Sequence, residues 1–236
     1  MSDLPVTVIV IAKEPVPGRV KTRLTPPFTP EQAAALAEAA LTDTLHAVAA
    51  APAARRVLAL AGAPGPWLPP GFEVIAQRGG GLDERLACAF DDTAVDDTGG
   101  NDSRAGGAPL PMLLIGMDTP QVTPELLAAA ARPLVSRTAD AVFGPAADGG
   151  YWLLGLRAPD PSLLLGVPMS RPGTGRAQLA RLAAGGLRVA MLPELTDVDD
   201  VDDALRVAAD VPGSRFARAV AALRPAGVPA RAGTPA

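Results

Sequence analysis

The sequence predicts an α/β domain with a mostly parallel sheet, and three observations support this prediction. Strand-like and helix-like segments alternate along most of the chain, as is typical of layered α/β domains. The first segment, residues 5–12, is a continuous apolar run rich in β-branched residues, as expected for a strand buried on both faces of a parallel sheet. Helix-start patterns recur at Thr29 and Thr123, each followed by proline and glutamate; a threonine cap with proline at the first helical position favours a helix.

These signals place the remaining elements in order along the chain. Strands are predicted at residues 56–61, 73–76, 112–116, 140–144, 151–156 and 187–192, and helices at 30–50, 82–92, 124–131, 174–184, 201–209 and 215–223. Gln32 completes a capping box with Thr29, and the glycines at 79–81 form the turn into the second helix.

The length and composition favour one domain. A chain of 236 residues, 48% of them hydrophobic, can bury one sizeable core, and we assign residues 1–223 to it. Residues 93–109 are rich in Gly, Asp, Asn and Ser, and residues 224–236 are mostly Pro, Gly and Ala. Such segments bury too little apolar surface to offset their ordering entropy, so we expect a flexible loop and a disordered tail.

The charge balance excludes some partners. The chain has 21 basic and 25 acidic residues, a net charge of -4, which gives no general attraction to nucleic acid or to an anionic membrane.

A single cysteine, Cys88, provides neither a disulfide nor a cysteine zinc site. The N-terminal apolar run leads into Lys13 and Glu14 and lacks a cleavage site, so we expect no signal peptide and a cytoplasmic protein.

Ligands of parallel α/β sheets bind outside the carboxyl ends of the strands, and a basic loop follows the first predicted strand. Its candidate nucleotide- and phosphate-binding residues are Lys13, Gly18, Arg19, Lys21, Thr22 and Arg23. The glycine allows a tight turn, and the four cations suit a di- or triphosphate. An ordinary basic surface loop is the alternative. The loop matches neither a Walker A motif nor a dinucleotide-binding glycine motif.

Two further strands end close to a single acid. Asp118 follows residues 112–116, and Asp148 follows residues 140–144. Carboxylates at strand ends suit Mg²⁺ or Mn²⁺, although an aspartate also forms turns by bonding its own backbone. Gly149 and Gly150 allow close backbone approach to a ligand, and Tyr151 is either a substrate contact or a core side chain.

Two other features each have two interpretations. The acidic run at residues 197–203 caps the next helix or contributes Asp199, or Asp197, to a metal site. Gly81 presents a backbone amide to a nucleotide or only begins a helix. We list Asp118, Asp148 and Asp199 as candidate metal ligands, and Asp118, Asp148 and Lys21 as candidate catalytic residues.

Four motifs in order resemble one known family. The matching positions are Pro15, Pro17, Gly18, Lys21, Thr22, Arg23 and Leu24; Ile115, Gly116, Asp118 and Pro120; Gly144, Pro145, Asp148, Gly149, Gly150 and Tyr151; and Asp197, Asp199 and Asp203. The chain resembles the glycosyltransferase-like family found beside radical-SAM and selenium genes, sometimes labelled an arsenosugar-biosynthesis glycosyltransferase. It is more distantly similar to 2-phospho-L-lactate guanylyltransferases, which share the Lys-x-Arg-Leu loop and the Asp-Gly-Gly turn.

The resemblance implies a GT-A fold, a nucleotide-diphospho-sugar transferase-like three-layer sandwich with a mostly parallel mixed sheet. It also implies a transferase that depends on Mg²⁺ or Mn²⁺ and uses a nucleotide or nucleotide-sugar donor with a small-molecule acceptor. Glycosyl transfer is the first hypothesis, nucleotidyl transfer to a small phosphorylated substrate is the second, and a non-catalytic nucleotide-binding protein is the third. Residues 169–172 depart from the family pattern, so the acceptor does not carry over.

Overall fold

The structure is a computed structural model that describes residues 3–99 and 110–223. Its strands are β1 (Leu4–Lys13), β2 (Ala53–Ala61), β3 (Glu73–Ala76), β4 (Met112–Ile115), β5 (Ala141–Pro145), β6 (Tyr151–Leu156) and β7 (Val189–Met191). Its α-helices are α1 (Pro30–Ala50), α2 (Leu82–Gly99), α3 (Pro124–Val135), α4 (Thr174–Ala184), α5 (Val201–Asp210) and α6 (Arg215–Leu223). Strands and helices alternate along most of this order, as the sequence predicts.

One sheet holds all the described strands, in the order β3-β2-β1-β4-β6-β5-β7. Every pairing is parallel except those of β6, which runs antiparallel to β4 and β5. Only a short turn joins β5 to β6, and a parallel connection would need a crossover of a dozen or more residues. The prediction of a mostly parallel mixed sheet is therefore confirmed.

Helices cover both faces of this sheet. On one face, β1 side chains such as Val10 pack with Leu41 of α1 and Leu127 of α3. On the other face, Ile9 packs in a second cluster with Phe90 of α2 and with residues of α4. Alternating residues of β1 thus enter opposite layers, which explains its continuous apolar sequence and confirms the three-layer sandwich.

A third cluster lies on the outer side of α1 and anchors the loop after β1. Leu24 and Phe28 pack there against Leu36 of α1, Val207 of α5 and Phe216 of α6. All five side chains are buried. The basic loop is therefore fixed at its far end by apolar packing, and its position relative to the sheet is set.

The sequence prediction places the start of the flexible loop too early in the chain. α2 continues to Gly99, so the segment from Thr93 to Gly99 is helical, and Thr93 is fully buried. The Thr93 carbonyl accepts a hydrogen bond of 2.7 Å from Arg55 Nη1 of β2. The rest of that predicted loop, residues 100–109, and the predicted tail, residues 224–236, lie outside the described residues.

Because β1, β4, β5 and β7 are parallel, their carboxyl ends meet at one edge of the sheet, which we call the carboxyl edge. The loops that follow β1 and β4 and the turn after β5 all lie there, where the sequence predicts ligand binding. Within residues 3–99 and 110–223, no helix is both long and apolar enough to cross a membrane.

Candidate active site

The loop after β1 turns sharply before it reaches Lys21. Gly18 has a φ of 76°, and the Arg19 amide closes a turn onto the Val16 carbonyl at 3.0 Å. Lys21 also has a left-handed backbone (φ 47°, ψ 40°) and precedes a short 3-10 turn at Thr22–Leu24. Left-handed backbone is uncommon outside glycine and costs free energy, so the surrounding structure holds Lys21 in place.

Lys21 lies between two carboxylates that are distant in sequence. Its Nζ is 2.7 Å from Asp118 Oδ1 and 3.5 Å from Asp199 Oδ1, and its side chain is only 9% exposed. Arg23 Nη1 is 3.0 Å from Asp199 Oδ2, but the Arg23 side chain is 73% exposed. The sequence-predicted residues Lys21, Arg23, Asp118 and Asp199 therefore form one cluster.

The other cations of the loop face solvent. Lys13 and Arg19 are both exposed. The Lys13 backbone lies close to the loop after β4, because its amide approaches Met117 Sδ at 3.3 Å. The carboxyl edge therefore has exposed positive groups beside a partly buried group of acids.

Asp197 joins this acidic group, and the pKa of its carboxyl is raised. Burial, followed by the charges of Asp118 and Asp148, raises the pKa of Asp197 to about 7. The loop is fixed by a hydrogen bond of 3.0 Å from the Val198 amide to the Asp118 carbonyl. The Ala147 amide also donates to the Leu195 carbonyl at 2.9 Å. The acids after β4 and β5 thus raise the pKa of an acid that follows β7.

The turn that carries Asp148 is packed tightly. Asp148 Oδ1 accepts a hydrogen bond of 2.7 Å from the Gly150 amide, as a turn-forming aspartate does. Gly149 has a φ of 87°, and a Cβ built on it would overlap the Pro172 carbonyl oxygen. The close approach permitted by Gly149 and Gly150 is therefore made, at least in part, to the segment leading into α4.

Tyr151 lies between the sheet and α4. Its ring is 5.3 Å from that of Phe143, centroid to centroid, and its hydroxyl lies 3.5 Å from Gln178 Oε1. Burial, with a smaller effect from Asp83, raises the pKa of the Tyr151 hydroxyl above its usual range. The side chain is thus largely part of the core, and its predicted contact with substrate stays a prediction.

Gly81 is an exposed residue in the turn before α2. Glu84 Oε2 accepts a hydrogen bond of 2.6 Å from the neighbouring Gly80 amide. Gln77, directly after β3, donates from Nε2 to the Ala12 carbonyl at 2.6 Å. This turn therefore lies near the end of β1, at the carboxyl edge, as a nucleotide-binding role for Gly81 requires.

The acids of residues 197–203 have two different roles. Asp200 caps α5 by accepting a hydrogen bond of 2.9 Å from the Asp203 amide, and Asp203 completes a capping box. Burial and the Asp200 charge raise the pKa of Asp203. Asp199 instead points its carboxylate to Lys21 and Arg23. The capping interpretation is confirmed for Asp200 and Asp203, and Asp199 lies in the cluster with Lys21 and Arg23.

The cluster offers the right donor type for a divalent cation, since Mg²⁺ prefers carboxylate oxygens. The geometry is not that of a gathered ligand set, because the described residues contain no group of three or more His, Cys, Asp or Glu side chains placed to hold a metal ion. The Lys21 ammonium already lies between Asp118 and Asp199. The predicted metal roles of Asp118, Asp148 and Asp199 stay predictions.

Comparison with known protein families gives a match over much of the chain. The model of a family described as uncharacterized proteins conserved in bacteria (DUF2064) matches residues 34–171. The chain belongs to this family. No curated protein matches it at a significant level.

Solved structures extend the likeness over almost the whole chain. A protein from Desulfovibrio desulfuricans G20, provisionally described as a nucleotide-diphospho-sugar transferase, is 28% identical, with 94% of this chain and 97% of that chain covered and a TM-score of 0.78. A homolog of Rv0371c from Mycobacterium sp. strain JC1 is 19% identical, covers 92% and 98% of the two chains, and has a TM-score of 0.52. Rv0371c from Mycobacterium tuberculosis H37Rv is 20% identical, covers 88% and 98%, and has a TM-score of 0.50. The nucleotide-diphospho-sugar transferase-like fold is thereby confirmed.

Proposed function

We propose that this DUF2064 protein transfers a glycosyl group from a nucleotide sugar to a small-molecule acceptor. The observation that carries the proposal is the cluster at the carboxyl edge, where a basic loop meets Asp118 and Asp199. The provisional description of the D. desulfuricans structure, which is 28% identical over nearly the full length, favours a nucleotide-sugar donor. A cytoplasmic location and the lack of nucleic-acid or membrane partners stay predictions.

In this proposal the basic loop binds the donor diphosphate. Lys13 and Arg19 are exposed, and Arg23 is largely exposed despite its contact with Asp199. Charge-assisted hydrogen bonds from these groups to phosphate oxygens are stronger than neutral ones. The tight turn at Gly18 and the amide of Thr22 add backbone donors, and Gly81 adds another from the turn before α2.

Transfer requires charge to be stabilised on the leaving nucleoside diphosphate. An acceptor oxygen bonds to the anomeric carbon, the bond from that carbon to the diphosphate oxygen breaks, and the acceptor proton passes to a base. Lys21 is positioned to stabilise the departing phosphate if its ammonium leaves the carboxylates. Gly149, Gly150 and Tyr151, beside Asp148, form the substrate side of the proposed site.

Mg²⁺ or Mn²⁺ would be held by Asp118 together with Asp148 and Asp199. When bound there, the ion neutralises developing charge on the diphosphate. Burial, followed by the charges of Asp118 and Asp148, raises the pKa of Asp197, and negative charge gathered at one place in this way attracts a cation.

Nucleotidyl transfer is the second candidate, and the basic loop favours it. Four cations within eleven residues, Lys13, Arg19, Lys21 and Arg23, suit a triphosphate better than a diphosphate. A phosphate oxygen of the acceptor would then attack the α-phosphorus, and pyrophosphate would leave. A protein that binds nucleotides without catalysis is the third.

The first experiment is a thermal-shift panel of nucleoside triphosphates and nucleotide sugars with Mg²⁺ or Mn²⁺, since a ligand of the native state raises the unfolding midpoint. The donor that shifts the midpoint is then incubated with candidate acceptors, and the released product is measured. Nucleoside diphosphate indicates glycosyl transfer and pyrophosphate indicates nucleotidyl transfer. Binding without either product, across a broad acceptor panel, would favour the non-catalytic alternative.

Variants test the site assignment. Asp118→Asn and Asp148→Asn are expected to remove the metal-dependent part of the thermal shift while the fold is retained. Asp160→Asn is the matched control, because Asp160 follows the antiparallel strand β6 and caps a short turn at the opposite edge of the sheet. If both site variants keep metal-dependent nucleotide binding, the proposed ligand assignments are wrong.

A further inference from the structure

Lys21 contacts two of the acids that the proposed function assigns to a metal ion. Its ammonium lies 2.7 Å from Asp118 Oδ1 and 3.5 Å from Asp199 Oδ1, with only 9% of the side chain exposed. Those two acids are among the carboxylates that the proposed function assigns to a divalent cation. The ammonium therefore compensates part of their charge in this structure.

A divalent ion bound to Asp118 would repel this ammonium. Like charges a few ångströms apart repel strongly where solvent screening is weak. A divalent cation on Asp118 doubles that repulsion. The lysine stem is flexible, so moving the ammonium away is the simplest way to relieve it.

We propose that Lys21 is a built-in counter-cation of the Asp118 carboxylate, which a divalent metal ion must displace and which then becomes available to the phosphates of the donor. The inference rests on the proposed function, since it assumes that Asp118 binds metal. It adds that metal binding changes the position of Lys21 and that Lys21 lowers the affinity of the protein for metal alone.

The first test measures Mn²⁺ affinity of the full chain without nucleotide, by isothermal titration calorimetry. Lys21→Met is expected to bind Mn²⁺ about tenfold more tightly than the natural protein, equivalent to roughly 1.4 kcal/mol. Lys13→Met is the matched control, because it removes an exposed cation of the same loop, and its affinity should change less than twofold. Equal gains in both variants would indicate only a general charge effect and overturn the inference.

A second variant keeps the experiment decisive if the first one does not fold. Lys21 is in the left-handed region, which asparagine tolerates better than most residues, so Lys21→Asn is the replacement if Lys21→Met does not fold. Metal affinity equal to or weaker than that of the natural protein, in whichever variant folds, contradicts the inference.

The second test follows Lys21 directly in the unmodified protein. Lys13 and Lys21 are the only two lysines in the chain, so acetylation with a small reagent can be read at both by mass spectrometry. Without metal, Lys21 should react more slowly than Lys13. Mg²⁺ is expected to raise the rate at Lys21 severalfold and to leave Lys13 unchanged. No rise at Lys21 under saturating Mg²⁺ means that metal binds without displacing it.

Asp118→Asn separates failure of the inference from failure of the proposed site. If this variant binds Mn²⁺ as well as the natural protein, or if no protein binds Mn²⁺, both the metal site and the inference are wrong. If Asp118→Asn loses Mn²⁺ binding but Lys21→Met gains none, only the competition between Lys21 and metal is refuted.

Discussion

The Gly175 amide donates a hydrogen bond of 2.8 Å to the Gly149 carbonyl, so the first turn of α4 rests on the turn that carries Asp148. Gly175 itself has no room for a side chain, because a Cβ there would overlap the Gly150 carbonyl oxygen. The position of one candidate catalytic acid is therefore fixed by backbone contact between two glycine-containing segments.

Gly149→Ala should destabilise the protein and move Asp148. The residue has a φ of 87°, and an added methyl group would overlap the Pro172 carbonyl oxygen. Left-handed backbone costs about 1–2 kcal/mol for a residue with a Cβ, and overpacking adds about 1–3 kcal/mol. Urea denaturation would measure the loss, and product release would measure the effect on transfer.

Gly71→Ala is the matched control for that prediction. Gly71 has a φ of 88°, but no atom lies within 4 Å of a Cβ built on it, so its substitution incurs the backbone cost without the overlap. A similar loss of stability in the two variants would show that the segment before α4 yields easily, and that Gly149 does not fix the turn.

Local signals explain why the fold could be predicted. The capping box of Thr29 and Gln32 forms as its sequence indicates, and the continuous apolar run becomes β1, an interior strand of the sheet. The end of α2 could not be predicted, because its sequence is polar and a long-range contact supports it. Arg55 of β2 binds the Thr93 carbonyl, and no pattern within the helix shows this partner.

The candidate site was predictable only in part, for the same physical reason. Strand ends located Asp118 and Asp148, and charge density located the basic loop. The ion pair of Lys21 with Asp118 depends on the parallel pairing of β1 with β4. The burial of Asp197 depends on tertiary packing, and in sequence it cannot be distinguished from the other acids of its run.

Asp140 should make stability depend on pH. Hydrogen bonds from Arg188 and then Arg157 hold the pKa of its carboxyl well below the usual range. A carboxyl whose pKa is lower in the folded state stabilises the protein above its unfolded-state pKa of about 4. This contribution is lost as the pH falls through the folded-state value. Asp140→Asn should therefore lower the free energy of unfolding at pH 7. This loss should become progressively smaller as the pH falls below about 4.

Urea denaturation over this pH range would check the Asp140 prediction, with Arg188→Met and the double variant completing a cycle. The coupling between the two positions should be present at pH 7 and should fall with the loss of the carboxylate charge. If Asp140→Asn lowers the free energy of unfolding by the same amount down to pH 3, the carboxylate charge of Asp140 is not what stabilises the protein at this position.

Arg19 should contribute affinity through phosphate. It is exposed in the basic loop, and a hydrogen bond to a charged group contributes about 1.5–3 kcal/mol. Arg19→Met should weaken binding of a nucleoside triphosphate about tenfold or more, roughly 1.4 kcal/mol or above, and leave binding of the free nucleoside unchanged. Calorimetric titrations would measure both. Arg132→Met, in the exposed last turn of α3, should have no effect on either ligand.

Asp200 should act as a helix cap and not through its charge. Its side chain accepts a hydrogen bond from the Asp203 amide at the start of α5, and asparagine caps helices about as well as aspartate. Asp200→Ala should therefore cost about 1 kcal/mol of unfolding free energy, whereas Asp200→Asn should lose only the smaller interaction with the helix dipole. Chemical denaturation would compare the two variants. An equal loss in both would mean that the charge of Asp200 matters more than its hydrogen bond, and that the acidic run contributes to the field of the site throughout its length.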